Sequence, residues 1–226
     1  MGTIIKKELK SYFLSPIGYV FIGLFIAMCS IFFYLEVVSA GSLNYEYLFY
    51  SSATILTFIV PILTMRMFSE ERKNGTEQLL FTSPRSITGI VLGKFIAAVL
   101  VIVITELITL GYFAILMFFG EPQIMTALVT LLGFLLLSMS YIAFGMFASS
   151  LTENQIVASV ITVAFFIVTW FMPSFNSVLA PFSLINMFSK FPSGVISLSE
   201  VISFVSFTIL FIIFTIMVLQ RRKSTK

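Results

Sequence analysis

The chain has 226 residues, 59% of them hydrophobic and only 10% charged, with a formal charge of +3 and a mean hydropathy of +1.09. Soluble domains carry about 25% charged residues, and a fold of this size cannot hide so much apolar surface from water, so the composition excludes a soluble protein and points to an integral membrane protein. There is no His and no Asp, and Cys29 is the single cysteine. Intrachain disulfides, clustered His/Cys metal sites and the Asp-pair, Ser–His or metal centres of intramembrane proteases therefore lack their residues.

In chain order, residues 3–14 place Ile5, Leu9, Tyr12 and Phe13 at i, i+4, i+7 and i+8, with Lys6, Lys7 and Lys10 elsewhere. This spacing predicts an amphipathic helix at the cytoplasmic interface rather than a frayed basic tail. The charged start leads straight into a full-length span with no small-residue cleavage site, so it is not read as a signal peptide. Ser15-Pro16 turns the chain toward the membrane. A spanning helix needs about 20 predominantly apolar residues, and the charges cut the chain into six such pieces: 17–35, 47–65, 95–119, 124–150, 156–172 and 201–219. The fold class is thus an all-α polytopic membrane protein in one domain.

Six spans put both termini on one side. All but one of the 13 Lys and Arg residues then fall on that side, and Lys190 alone faces the other. Basic loops are cytoplasmic, so both termini and the 66–94 segment are expected in the cytoplasm. The same rule explains the net positive charge without nucleic acid. The 173–199 segment is too apolar for a solvated loop, and Pro173, Pro181, Pro192 and Gly194 break any continuous helix. Two readings stay open for it: short re-entrant helices shielded by the spans, or an interfacial loop on headgroups.

The one densely polar stretch is SEERKNGTEQLLFTSPRS, residues 69–86. Arg66 to Lys73 extends the second span as helix, and Asn74-Gly75 stops it. Thr76 suits the cap of a new helical turn, and Glu77 in its first turn complements the dipole. Leu79, Leu80 and Phe81 follow, and Ser83-Pro84 ends the turn. A helix that short is marginal in water, so its apolar residues call for a partner. By composition alone, Glu70, Glu71, Arg72 and Lys73 would be a solvated face closing a span.

This island, EERKNGTEQLLFTSP followed by Gly93-Lys94 at the third span, resembles the permease subunits of the ABC-2 transporter family. The matching residues are Glu70, Glu71, Arg72, Gly75, Thr76, Leu79, Leu80, Pro84, Gly93 and Lys94. KKELKSYFLSPIGYV at 6–20, LTENQIVAS at 151–159 and FPSGVISLSEVI at 191–202 resemble its compact members in the same order, including permeases of gliding motility and of copper-enzyme maturation. The resemblance implies a pair of permease subunits, each binding an ATPase subunit. It also implies that the loop after span two carries a coupling helix seated in an ATPase groove. Leu79 and Leu80 would then bury in the groove, while Glu70, Glu71 and Arg72 set the loop's orientation. ATP and Mg²⁺ would be bound by the partner ATPase, with no cofactor in this chain. A phosphate-binding loop needs G-x-x-x-x-G-K-[S/T], whereas Gly89 to Phe95 reads GIVLGKF. It is one residue short, lacks the hydroxyl and enters a span. Gly89 and Gly93 instead have the small-xxx-small spacing of close helix packing.

Glu106 interrupts the third span roughly 11 residues in, or about 16 Å deep. An ionised carboxylate there costs at least about 2.5–3.5 kcal/mol. Either it is a polar point in a transport pathway or a helix anchor, or it is a neutral side chain hydrogen-bonded to Thr105, Thr109 or a Ser of span four. The expected function is the membrane subunit of an ATP-driven exporter. The competing readings are an ATP-independent channel or scaffold, and a membrane enzyme that would have to work without His or Asp.

Overall fold

The computed structural model describes residues 2–39, 41, 43–78, 85–175 and 182–224. Every regular element among them is helical: α1 Gly2–Leu14, α2 Pro16–Phe32 running into a π-helical turn Phe33–Val38, α3 Tyr45–Thr64, α4 Ser69–Lys73, α5 Ile87–Phe119, α6 Ile124–Leu151, α7 Gln155–Phe175, α8 Leu184–Phe188, a 3₁₀ turn Phe191–Ser193, and α9 Leu198–Ser224. Six of these helices are long and apolar enough to cross a membrane. They alternate in direction. One end of the bundle therefore gathers α1, residues 65–78, the start of α5, the 151–155 turn and the end of α9. The other end gathers the 120–123 turn, the start of α3 and the segment before α9.

Helices α3, α5 and α6 bury more than half of their apolar stretches, and α2, α7 and α9 less than a third. The first three form the inside, and the outer three turn Leu, Ile, Val and Phe outward, as lipid-facing helices do. The core is largely aromatic. Phe134 of α6 meets Phe25 of α2 at 5.6 Å, Phe49 of α3 at 4.9 Å and Phe188 of α8 at 6.0 Å between ring centroids. Tyr141 stacks on Phe166, and Phe144 on Phe165, each pair at 3.8 Å, fixing α7 to α6. Buried hydroxyls satisfy themselves on the preceding turn, as Ser52 does on Leu48 O (2.6 Å), Thr105 on Val101 O (2.8 Å) and Ser138 on Phe134 O (2.7 Å). These hydroxyls need no water inside the bundle.

Two elements differ from what the sequence suggests. Helix α7 passes through Pro173 and ends at Phe175. The proline forfeits one bond of the ladder without breaking the helix, and residues 176–181 lie outside the described residues. From Leu184 the chain folds inward. Leu184, Phe188 and Phe191 are buried, and a Cβ at Gly133 would stand 2.3 Å from the Phe191 ring. Only glycine at 133 lets the 3₁₀ turn settle onto α6. Helix α5 begins at Ile87, well before the apolar run, and so carries Lys94 inside a helix.

Candidate functional site

The polar island folds as an extension of α3 that the rest of the chain grips from three sides. After Thr64 the chain makes a turn and enters α4. Ser149 of α6 fastens this join: its hydroxyl accepts from the amides of Phe68 and Ser69, both at 3.1 Å, and donates to Met65 O at 3.0 Å. One side chain thereby satisfies two donors at the N-terminus of α4 and a carbonyl left by α3. The approach is close because residue 145 is glycine; a Cβ there would be 2.3 Å from Thr64 Oγ1.

Five charges of the segment, Arg66, Glu70, Glu71, Arg72 and Glu77, are paired. Arg66 forks onto Glu70, Nε to Oε2 at 2.5 Å and Nη2 to Oε1 at 2.9 Å. Both side chains stay about a third exposed, so the pair contributes less than about 1 kcal/mol. Glu71 meets Lys94 of α5 at 2.8 Å, and Lys94 reaches Glu8 of α1 at 3.2 Å. Lys94 is only 4% exposed, and its ammonium lies 5.4 Å from the centre of the Phe68 ring. The first grip is thus one buried cation shared between two carboxylates on different elements. Glu71 Oε2 is buried and meets no donor among the described residues.

The second grip is Arg72, which pairs with Glu153 at 2.8 Å and donates to Leu151 O at 3.1 Å. The third is Glu77, buried and 3.3 Å from Arg222 near the end of α9. Arg222 also donates to Leu151 O at 3.4 Å. Two guanidinium groups therefore converge on the C-terminal carbonyl of α6, where a helix dipole favours positive charge.

Gly75 has φ +70°, the left-handed conformation that closes a helix and favours glycine. The Thr76 hydroxyl donates back to Glu71 O at 3.2 Å and ties off the helix before it, while the turn it was expected to cap runs into residues outside the described ones. Leu79, Leu80, Phe81 and Pro84 lie outside the described residues. Helix α1 is amphipathic as its spacing predicts, with Lys6, Lys7 and Lys10 exposed and Leu9, Tyr12 and Phe13 packed against the core. It lies along α5, where a Cβ at Gly93 would come 2.6 Å from Ile4 Cγ2. Gly89 meets only Ser86 of its own helix, so of the two glycines Gly93 alone makes a close crossing. Tyr12 donates to Leu63 O at 3.4 Å. Burial, with Glu8 adding to it, pushes this phenol well above its usual range, so it remains a donor.

Glu8, Lys94, Ser149, Glu153 and Arg222 complete the site; the sequence marks Lys94 by its place in the motif but ties none of them to the island's charges. The burial of Lys94 gave no signal, because it reads as the last polar residue before a span. Ser149 gave none, because its partners are backbone groups of another helix.

Glu106 stands apart from the island. It is 8% exposed, and its Oε1 accepts no hydrogen bond among the described residues. Thr105 and Thr109 do not serve it: Thr105 donates to Val101 O, and Thr109 to the backbone carbonyl of Glu106 at 2.6 Å. With its proton so used, Thr109 accepts from Tyr45 at 3.1 Å. The two threonines thus leave the carboxyl of Glu106 unsupported.

A bundle of six helices long and apolar enough to cross a membrane, with a charged segment clamped at one end, defines the class: an all-α integral membrane protein. The family model described as ABC-2 family transporter protein matches residues 36–220, and the chain belongs to that family. The match takes in the island, the turn at 151–155 and Arg222's helix as far as residue 220, and leaves α1 outside it. A search of curated proteins gives no match.

Proposed function

We propose that this chain is the permease subunit of an ATP-driven exporter, working as one of a pair in the cell membrane with both termini cytoplasmic. A separate ATPase subunit binds the ATP and Mg²⁺, docks on the island and moves the bundle. The observation that supports this reading most is the triple grip on residues 66–78. A force applied there reaches α1 and α5 through Lys94, the α6–α7 turn through Arg72, and α9 through Arg222. A loop that served only as a solvated tether would not need ion pairs to every neighbouring element.

Leu79 and Leu80 are the groove-filling residues in this account, with Pro84 closing the turn. Replacing both leucines by Asp puts two charges into an apolar groove. The variant is expected to insert normally and to lose co-purification with its ATPase subunit and stimulation of ATP turnover. Retained co-purification with unchanged turnover overturns the docking assignment and favours an ATP-independent channel or scaffold.

A further inference from the structure

At the end of the bundle opposite the island, a cavity of about 450 Å³ opens between the start of α3, the 120–123 turn and the 3₁₀ turn before α9. This is within the size range of small-molecule sites. Its lining carries one formal charge, the carboxylate of Glu46, together with Tyr47, Tyr50, Thr126, Ser189 and Ser193. Glu46 and Tyr50 are four residues apart on α3, and Tyr47 and Tyr50 three apart, so the carboxylate and both rings share one helix face. The rings are about half exposed.

The hydroxyls of the lining have already spent their protons. Ser189 donates to Asn186 O at 2.7 Å, Ser193 to Lys190 O at 3.1 Å, and Thr126 to Gln123 Oε1 at 2.9 Å. What they turn to the cavity is lone-pair oxygen. The remaining donors are the two phenols and the Gln123 amide, all neutral. Among the described residues no Lys or Arg lines the cavity, and nearby Lys190 is paired with Glu200. Glu46 lies in the first turn of α3, where the helix dipole favours negative charge, against partial burial that pushes its carboxyl above the usual carboxylate range.

We infer that this cavity binds an organic ammonium ion, its charge held against Glu46 and its alkyl groups against the faces of Tyr47 and Tyr50. Tyrosine faces attract such cations. A bare metal ion fits poorly, since Ca²⁺ takes six to eight oxygens at close range and this lining offers one carboxylate and three aliphatic hydroxyls beside two rings. The site is independent of the ATPase reading, because nothing in it touches the island. The ammonium could come from a free solute or from a choline lipid headgroup, which share this chemistry.

The test uses the full chain purified in maltoside detergent, with choline as probe and its neutral isostere 3,3-dimethylbutan-1-ol as control, followed by saturation-transfer NMR of the methyl signal. Choline is expected to bind saturably and the isostere at least tenfold more weakly. E46Q should weaken choline at least tenfold and Y50L at least threefold, while Y50F, which keeps the ring, should bind like the parent. If E46Q unfolds early, the Y50L and Y50F pair decides alone. Equal binding of the isostere, a Y50L variant that binds like Y50F, or no saturable binding overturns the site and leaves the tyrosines as membrane-interface anchors. Repeating the titration in phosphatidylcholine and phosphatidylglycerol nanodiscs separates the sources. Competition only in phosphatidylcholine identifies a headgroup, and equal binding in both identifies a free solute.

Discussion

Lys94→Met removes the cation from the clamp and leaves Glu8 and Glu71 facing each other. Breaking a buried ion pair from one side costs about 3–5 kcal/mol, because an uncompensated charge remains. Here the two carboxylates keep 16% and 19% of their side-chain exposure. Water and protonation relieve part of the penalty, so the expected loss is about 2–3 kcal/mol. The triple variant E8Q/K94M/E71Q leaves no charge behind, and replacing a whole buried ion cluster by neutral groups is often nearly neutral. It should recover at least half of the loss. Equilibrium unfolding in mixed micelles reads both values. A triple variant no more stable than K94M alone would refute the reasoning, because the cost would then lie in lost packing of the lysine stem rather than in stranded charge.

Ser149→Ala strips the acceptor from two amides at the join of α3 and α4. Unsatisfied buried donors cost about 1–3 kcal/mol, and hydrogen exchange should rise at residues 65–73 while the centre of α6 stays protected. Uniform exchange across both regions would show that Ser149 does not hold the join. Glu106→Gln is expected to insert and assemble normally and to reduce transport; unchanged transport, ATP turnover and assembly together would remove Glu106 from the pathway.

The spans were legible because burial in lipid imposes long uncharged runs, and charge alone separates Ile17–Leu35 from Tyr47–Met65. The island was legible as an island, since Asn74-Gly75 signals a stop and Gly75 does take the left-handed conformation. What joins the island to the rest was not legible. Glu8 and Lys94 are 86 positions apart, as are none of the contacts that periodicity can reveal, and Lys94 looked like the last cytoplasmic residue before a span rather than a buried one. Pro173 marks a further limit of local rules, a strong breaker that stands inside the described helix α7.

The central claim is that a separate ATPase grips residues 69–86. A photocrosslinking residue at position 78, in the exposed part of the island, tests it most directly when compared with one at position 47 on the opposite end of the bundle. Capture of an ATPase subunit from position 78, stronger with bound nucleotide and absent from position 47, is the predicted result. Capture from position 47 and none from 78 would contradict it.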